Sequence, residues 1–397
     1  LIKNTYQLKE HSKLLAIDLS NLDIEMLLDR FVGKLDVTAS ISSQGKYNLE
    51  SHQYVGVISL SDSKVIIEPK TTIKNLIYML SSVYNLIGWE KSFVECNTIT
   101  EWSDLVAKLF LDLLKQLISK GLNQNYQDTN ENSTLIKGQI DFASQFTENF
   151  ANPIQHNCNY SELSFNTLEN QALKLALTNL YELYQQSELS WQISQLQKHL
   201  TYINLVNFTS IDFSKFIFSR SNEHYRLPLA LAQMILESSS PTFDGRSSLF
   251  PAFLIDMNKL FERYVANRLK KYCQETYLDT QQNILIHYQM QGYLDKSSTI
   301  KLVPDLVLSK QEKILAVMDT KYKINISNNN DYYQIITYCL TKNTNSGFLV
   351  YPTWEGEYKE FYVHNSDIVI RCIGIILDKS VEELNSSIDE LVNLVNI

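Results

Sequence analysis

The sequence predicts an α+β multidomain chain, with a β-rich N-terminal domain over residues 1–75, a mainly helical middle domain over 76–245, and a C-terminal α/β domain with a mixed sheet over 246–397. Three observations carry this. The first 75 residues alternate with the two-residue period of strands, the next stretch repeats apolar residues at helical spacing, and strand and helix patterns interleave after a Ser/Pro/Gly-rich break.

Val37–Ser42, Tyr54–Leu60 and Val65–Lys70 read as strands, the last of them stopped by Pro69. The polar stretch Ser43–Gln53 reads as a projecting hairpin or loop. From Asn75 the period changes, and Leu76, Ile77, Leu80 and Val83 fall on one helical face. Leu105, Leu109, Leu113 and Leu117 repeat the pattern within Trp102–Ile118, and the polar stretch Asn123–Ser133 separates it from a short apolar segment around Leu135–Phe142. Asn166–Tyr184, Trp191–Leu205 and Tyr225–Glu237 are helical in pattern. Ser238-Ser239-Ser240-Pro241 and Gly245–Ser248 form the clearest linker. Beyond it come a helix at Met257–Tyr272 and strands at Ile284–Met290, Ile300–Leu308 and Ile314–Tyr322. A helix at Asp331–Leu340, strands at Gly347–Tyr351, Tyr358–Val363 and Val369–Ile375, and an amphipathic helix at Val381–Val395 complete the pattern. The one biased tract is Asn325–Asn330.

With 44% hydrophobic and 20% charged residues the chain is of ordinary globular composition. Its 11 glycines and the absence of GxxxxGK[ST] and GxGxxG strings predict that this chain binds no nucleotide itself. The net charge of −9 excludes nucleic-acid binding by bulk electrostatics, so any DNA contact needs a local patch or a partner. Cys96, Cys158, Cys273, Cys339 and Cys372 lie far apart, which excludes a zinc knuckle, a cysteine-ligated cluster and a disulfide framework, and suits a reducing cytoplasm. The seven histidines show no HExxH or HxH spacing and no GxSxG elbow occurs, so a zinc hydrolase and a serine esterase are excluded. No signal peptide is visible and stretches such as Ile368–Leu377 are too short to span a bilayer, so a cytoplasmic protein with no membrane partner is expected.

The informative stretch is Pro304-Asp305 followed by Asp319-Thr320-Lys321. If Ile314–Tyr322 is a strand, Asp319 and Lys321 project from one face. A hairpin turning over Ser309–Lys313, centred near Glu312, places Asp305 directly across from Asp319, with Cβ atoms about 5 Å apart. Two carboxylates so close in an apolar sheet repel each other unless a hard divalent cation lies between them, and magnesium, or manganese in its place, suits a carboxylate pair completed by waters and phosphate. Lys321 then holds or deprotonates the attacking water or stabilises charge in the transition state. The Thr320 backbone carbonyl is a further candidate ligand and Glu262 a further acid. Gln334 and Tyr338, four apart on the following helix, share a face that braces the site or binds phosphate. Lys259, Arg263, Arg268, Lys270 and Lys271 lie on a single helix and either track a phosphate strand or form a solvated face.

These residues resemble the PD-(D/E)xK nuclease core in its RecB-like variety. Ile66–Lys70 leading to Asn75–Leu80, Ile136–Phe142, Tyr225–Ala230 and Met257–Val265 are similar, in order, to the McrC family, the nuclease subunits of McrBC modification-dependent restriction systems. The resemblance implies a magnesium-dependent endodeoxyribonuclease of antiviral defence that docks on a hexameric McrB-like AAA+ GTPase. The partner recognises modified cytosine and translocates double-stranded DNA. It also implies that residues 1–75 enter the ring and stimulate GTP hydrolysis, with Arg30, Lys34 and Lys46 as basic candidates for contact. Two other readings stand beside it: a subunit that mainly activates the ring, and a free-standing RecB-like repair nuclease.

Overall fold

The computed structural model describes residues 4–86, 96–152, 154–185, 187–207, 211–239, 252–277, 284–311, 313–323, 329–353 and 358–394. They fall into two units, Leu1–Leu105 with Ala252–Ile397, and Val106–Pro251. The expected linker lies mostly outside the described residues, as do Glu312 at the expected hairpin centre and residues 325–328 of the Asn-rich tract. Among the described residues no helix is long and apolar enough to cross a membrane.

In the first unit, strand β1 (Asn4–Lys9) lies parallel to β6 (Ser63–Glu68), which forms an antiparallel hairpin with β5 (Tyr54–Ser59). Strand β10 (Ala252–Asp256) then pairs antiparallel with β5, giving the order β1-β6-β5-β10. The 1–75 and 246–397 segments thus share one hydrogen-bonded ladder. Gly56 makes this possible: at φ +147 a Cβ there would meet the Phe253 carbonyl oxygen at 1.9 Å. A second sheet has the order β2-β4-β3, from β2 (Lys13–Ile17), β3 (Leu35–Ala39) and β4 (Tyr47–Ser51). Ser43–Gln53, read from its polarity as a loop or hairpin, therefore contains a strand, anchored by the fully buried Leu49. Helix α1 (Asn21–Arg30) is capped by Ser20, which accepts the Asp23 N–H. Helix α2 (Ile73–Val83) buries Leu76, Met79 and Leu80, and its Asn75 side-chain amide donates to the carbonyls of Leu377 and Lys379. Helix α3 (Ile99–Lys120) follows, with Trp102 edge-on to Phe253 at 5.4 Å.

In the second unit the polar stretch after α3 is not a separator. Strand β7 (Asn125–Ser133) pairs along its length with β9 (His156–Ser164), and β8 (Gln139–Ile140) completes the order β7-β9-β8. Its side chains are polar because the strand is largely exposed, so hydrophobic alternation could not reveal it. Asp141 caps α4 (Phe142–Glu148). Helices α5 (Leu168–Tyr184), α6 (Leu189–His199) and α7 (Arg226–Ser239) build the core, where the buried Tyr225 hydroxyl donates to Asn170 and accepts the Asn123 N–H.

The C-terminal sheet of the first unit is mixed. Helix α8 (Met257–Tyr277) leads to β11 (Ile284–Tyr288), and a short ladder of β12 (Gly292–Tyr293) with β13 (Lys301–Leu302) leads to β14 (Leu306–Lys310). The expected single strand Ile300–Leu308 is broken into β13 and β14 at Val303-Pro304-Asp305, where proline cannot donate to a ladder. Strand β15 (Lys313–Thr320) pairs antiparallel with β14, and helix α9 (Asn329–Lys342) crosses over to the parallel strand β16 (Ser346–Thr353). Edge strand β17 (Tyr358–Tyr362), then β18 (Val369–Ile376) and helix α10 (Val381–Leu394), complete the order β11-β14-β15-β16-β18-β17. Almost every residue of β16 is buried, as expected of a parallel strand covered on both faces. Val307, Val317, Leu349 and Cys372 pack with Ile335, Tyr338 and Cys339 of α9.

Candidate active site

The β14–β15 register pairs Leu306 with Met318 and Val307 with Val317, so the next opposing position brings Asp305 to Asp319. Near the turn the register shifts by one residue at a bulge between Leu308 and Ser309, without altering the paired end that carries the acids. Alternation puts Val317, Asp319 and Lys321 on the face covered by α9. Asp305 is held by its surroundings: its carbonyl accepts the Gln289 N–H at 2.8 Å, and its Oδ2 accepts the Thr320 N–H at 2.7 Å and the Thr320 hydroxyl at 2.8 Å.

Asp319 is 1% exposed. Its Oδ2 lies 2.5 Å from the Lys321 ammonium, yet lacks a hydrogen bond of good geometry. Lys321 donates to Gln334 Oε1 at 3.0 Å, the Gln334 amide donates to the Tyr338 hydroxyl at 2.7 Å, and that hydroxyl donates to the Val303 carbonyl at 3.3 Å. Helix α9 thus braces the lysine through a chain of side chains, as the four-residue spacing of Gln334 and Tyr338 implies.

The electrostatics follow from burial. Burial first, and the Asp305 charge second, push the Asp319 carboxyl up to about 7. Burial raises Asp305 against the two hydrogen bonds from Thr320. For Lys321, burial disfavours the charge, but Asp319 and Asp305 together outweigh it and hold the ammonium above its ordinary value. When both acids are ionised, two carboxylates face one cation of the protein, which leaves one negative charge in excess.

That donor set fits a hard divalent cation. Asp319 Oδ2 meets only the Lys321 ammonium and no hydrogen bond of good geometry, and Asp305 is already oriented by Thr320. The Thr320 N–H points to Asp305 while the Lys321 N–H bonds to Val350 on the other side. The Thr320 carbonyl shares the edge of its own N–H. Among the described residues no group of three His, Cys, Asp or Glu side chains gathers as a metal cage, so the protein offers a carboxylate pair and a backbone oxygen. Such a sparse oxygen set suits magnesium, which keeps waters and takes up phosphate oxygens.

The other expected residues are placed less uniformly. Glu262 feels the Asp305 charge and is raised chiefly by burial, but its carboxylate is engaged by the Gln289 amide at 2.9 Å and does not complete a three-acid cluster. Lys259 and Lys270 are exposed at positions that share a stripe of α8 with the half-buried Arg263. Arg268 points to the other side, 4.0 Å from Asp389, so the five basic residues do not form one face. Lys34 is not a surface contact. It is 6% exposed, lies 5.4 Å from the Tyr54 ring, and burial pushes its amine down to about 8 against the pull of Asp256. Lys46 is ion-paired with Asp18 at 3.5 Å, and Arg30 lies 3.9 Å from Asp29. Cys339 is buried in the sheet–helix core, as expected. Sequence reasoning missed Gln289, the ion pair of Lys323 with the buried Asp331, and the bond between Tyr322 and Glu10. Only Tyr322 had a signal, since the expected strand Ile314–Tyr322 sets it on the face away from Lys321.

The chain belongs to a known class. A family model described as McrBC 5-methylcytosine restriction system component matches residues 49–352, and the chain belongs to that family. The match begins within β4 and runs through the acidic pair to β16. The chain is 22% identical over 321 residues to the type IV methyl-directed restriction enzyme EcoKMcrBC of Escherichia coli K12, covering 75% of this chain and 90% of that protein. It shares its fold with the McrC chain bound to McrB AAA+ hexamers in a half-complex of the tetradecameric assembly from Thermococcus gammatolerans. That alignment has a TM-score of 0.55 and 18% identity, and covers 98% of this chain and all of the other.

Proposed function

We propose that this chain is the DNA-cutting subunit of a McrBC-type restriction system, a magnesium-dependent endodeoxyribonuclease of the PD-(D/E)xK type. The observation that carries the reading is the pairing of the half-buried Asp305 with the buried Asp319, with the Lys321 ammonium against Asp319. Asp305, Asp319 and the Thr320 carbonyl would hold the cation. When bound, the cation polarises the scissile phosphate and eases deprotonation of water. Thr320 orients the Asp305 carboxylate and favours its ionised form against burial, and Gln334 and Tyr338 keep the Lys321 ammonium beside Asp319. Lys321 orients the attacking water and meets the negative charge that grows on the phosphate oxygens. The same cation of the protein offsets part of the repulsion between the two acids before DNA arrives.

Delivery of DNA falls to a partner. At net −9 the chain neutralises few phosphates by itself. The Thermococcus gammatolerans McrC of the same fold is bound to McrB AAA+ hexamers. By that likeness this chain docks on a McrB-like GTPase hexamer, stimulates its GTP hydrolysis through the β-rich N-terminal segment, and cuts cytosine-modified DNA in the cytoplasm. The test is cleavage of methylated duplex DNA by the purified chain with its AAA+ partner, GTP and magnesium. Cutting by the complex, little by the chain alone, and none by Asp319→Ala with GTPase stimulation retained is the expected pattern. Stimulation without cutting on any modified DNA would instead mark a purely activating subunit.

A further inference from the structure

Glu10 lies in the turn after β1 and is fully buried. Its N–H donates to the Glu68 carbonyl at 2.9 Å, which ties it to the end of β6. One carboxylate oxygen, Oε1, accepts the Lys70 N–H at 2.7 Å and the Tyr322 hydroxyl at 2.9 Å, while the other, Oε2, is buried without a hydrogen-bond partner. A buried carboxylate left half satisfied is destabilising, and such a group persists where the geometry it sets matters.

Tyr322 directly follows Asp319-Thr320-Lys321. Strand β15 ends at Thr320, and beyond it the backbone bonds of this segment are the Lys321 N–H to the Val350 carbonyl and a tight turn from the Lys323 N–H to the Lys321 carbonyl. Lys321 reaches Asp319, while Tyr322 turns to Glu10, and its ring lies 5.9 Å from that of Phe261, the neighbour of Glu262 on α8. On its far side the segment that carries the lysine is held by a hydroxyl–carboxylate bond beside that ring contact, and the acceptor comes from the N-terminal segment more than three hundred residues earlier.

We propose that Glu10 is a positioning residue for the cutting reaction: by holding the Tyr322 hydroxyl it fixes where the Lys321 ammonium lies against Asp319, and it links the N-terminal β segment to the catalytic strand. This rests on the nuclease reading above. A shift of β1 or β6, on the segment read as docking to the GTPase, is passed through this bond to Lys321. Small displacements of a catalytic group are enough to slow a reaction strongly. Glu10 has no exposed surface, so it acts here without touching the partner itself.

The experiment uses the full chain assembled with its AAA+ partner, comparing wild type with Glu10→Gln, Glu10→Ala and Tyr322→Phe. Single-turnover cutting across a magnesium titration is read beside partner GTP hydrolysis and the melting temperature of each variant. Tyr322→Phe and Glu10→Ala are expected to slow cutting at saturating magnesium by at least about tenfold, with GTPase stimulation within about twofold of wild type. Glu10→Gln keeps a side-chain carbonyl for both donors and is expected to cut within about threefold of wild type. If Glu10→Ala does not fold, Tyr322→Phe decides, since its ring stays against Phe261. Wild-type cutting by Tyr322→Phe, or parallel losses of cutting, stimulation and melting temperature, overturns the positioning role alone. A wild-type complex that stimulates GTP hydrolysis but cuts nothing overturns the nuclease reading and the positioning role with it.

Discussion

Thr320 gives both its N–H and its hydroxyl to one carboxylate oxygen of Asp305, at 2.7 and 2.8 Å, across the open end of the β14–β15 hairpin. The residue between the second acid and the lysine thereby orients the first acid. A carboxylate that accepts two such bonds is directed before any cation or substrate arrives, which is the form of preorganisation that the proposed metal-assisted hydrolysis needs.

Replacing either acid by its amide removes a charge with little change of shape. Asp319→Asn or Asp305→Asn in the assembled complex is expected to reduce single-turnover cleavage at least about a hundredfold, the scale on which loss of a preorganised charge acts. Stimulation of GTP hydrolysis, measured in the same samples, is expected to stay at the wild-type level. A parallel fall in both would place these residues in folding rather than in chemistry.

The acids also set a dependence of stability on pH. Both Asp305 and Asp319 are raised in the folded chain, so the folded state binds their protons more tightly than the unfolded state. The contribution of Asp319 is full below the ordinary value of 3.8 and is lost as pH rises through about 7, and that of Asp305 is lost in the same direction. In chelator, melting temperature should therefore fall between pH 5.5 and pH 8 by an amount on the order of a few kcal/mol of stability at most. Magnesium should restore it at pH 8 and do little at pH 5.5. The Asp319→Asn chain should melt higher than wild type at pH 8 in chelator, with the gap closing toward pH 5.5. Melting curves in the two buffers decide this, and a gap that widens at acid pH would contradict it.

Gln334 is the link between Lys321 and α9. Gln334→Leu fills the space without an acceptor and is expected to slow cutting by about ten- to a hundredfold through misplacement of the ammonium. Tyr338→Phe leaves Gln334 in place and is expected to slow it by only about threefold, since the hydroxyl acts one step further away. Single-turnover rates for the two variants provide the comparison, and equal losses would rule out this order.

Two glycines test packing. A Cβ on Gly347 would lie 2.9 Å from Cys339 Sγ and 2.9 Å from Ile335 Cγ1, so Gly347→Ala pushes α9 off the sheet, with a cost of about 1–3 kcal/mol and slower cutting because Gln334 rides on the same helix. Gly56→Ala meets backbone instead, at 1.9 Å from the Phe253 carbonyl oxygen, and is expected to lose more stability than Gly347→Ala, beyond about 3 kcal/mol. Melting temperatures of the two soluble variants, or failure of the second to accumulate, check the ranking.

The site was legible in the sequence where physics is local. Asp319 and Lys321 share a face because strands alternate, and Asp305 meets Asp319 because the hairpin between them is short. Gln334 reaches Lys321 because a crossover helix must return over the strand it leaves. The rest depends on contacts that local pattern does not carry. Strand β10 joins β5 across some two hundred residues, and its place depends on the bare backbone of Gly56. Strand β7 is polar because it is exposed, so its pairing with β9 leaves no apolar signature. Lys34 reads as surface by its charge, whereas its stem and ammonium are taken in beside Tyr54 and Asp256. Arg268, by contrast, lies nine residues from Lys259, on the opposite side of α8, where it comes within 4.0 Å of Asp389 of α10, so helical spacing already separates the two basic residues.

The most direct measurement is anomalous diffraction from crystals of the wild-type chain and of Asp319→Asn soaked in manganese at pH 8. The expected result is a peak bounded by the Asp305 and Asp319 carboxylates and the Thr320 carbonyl in the wild type, absent from the variant. Manganese bound elsewhere in the wild type with none between Asp305 and Asp319, or an unchanged peak in the variant, would contradict a shared cation at this pair.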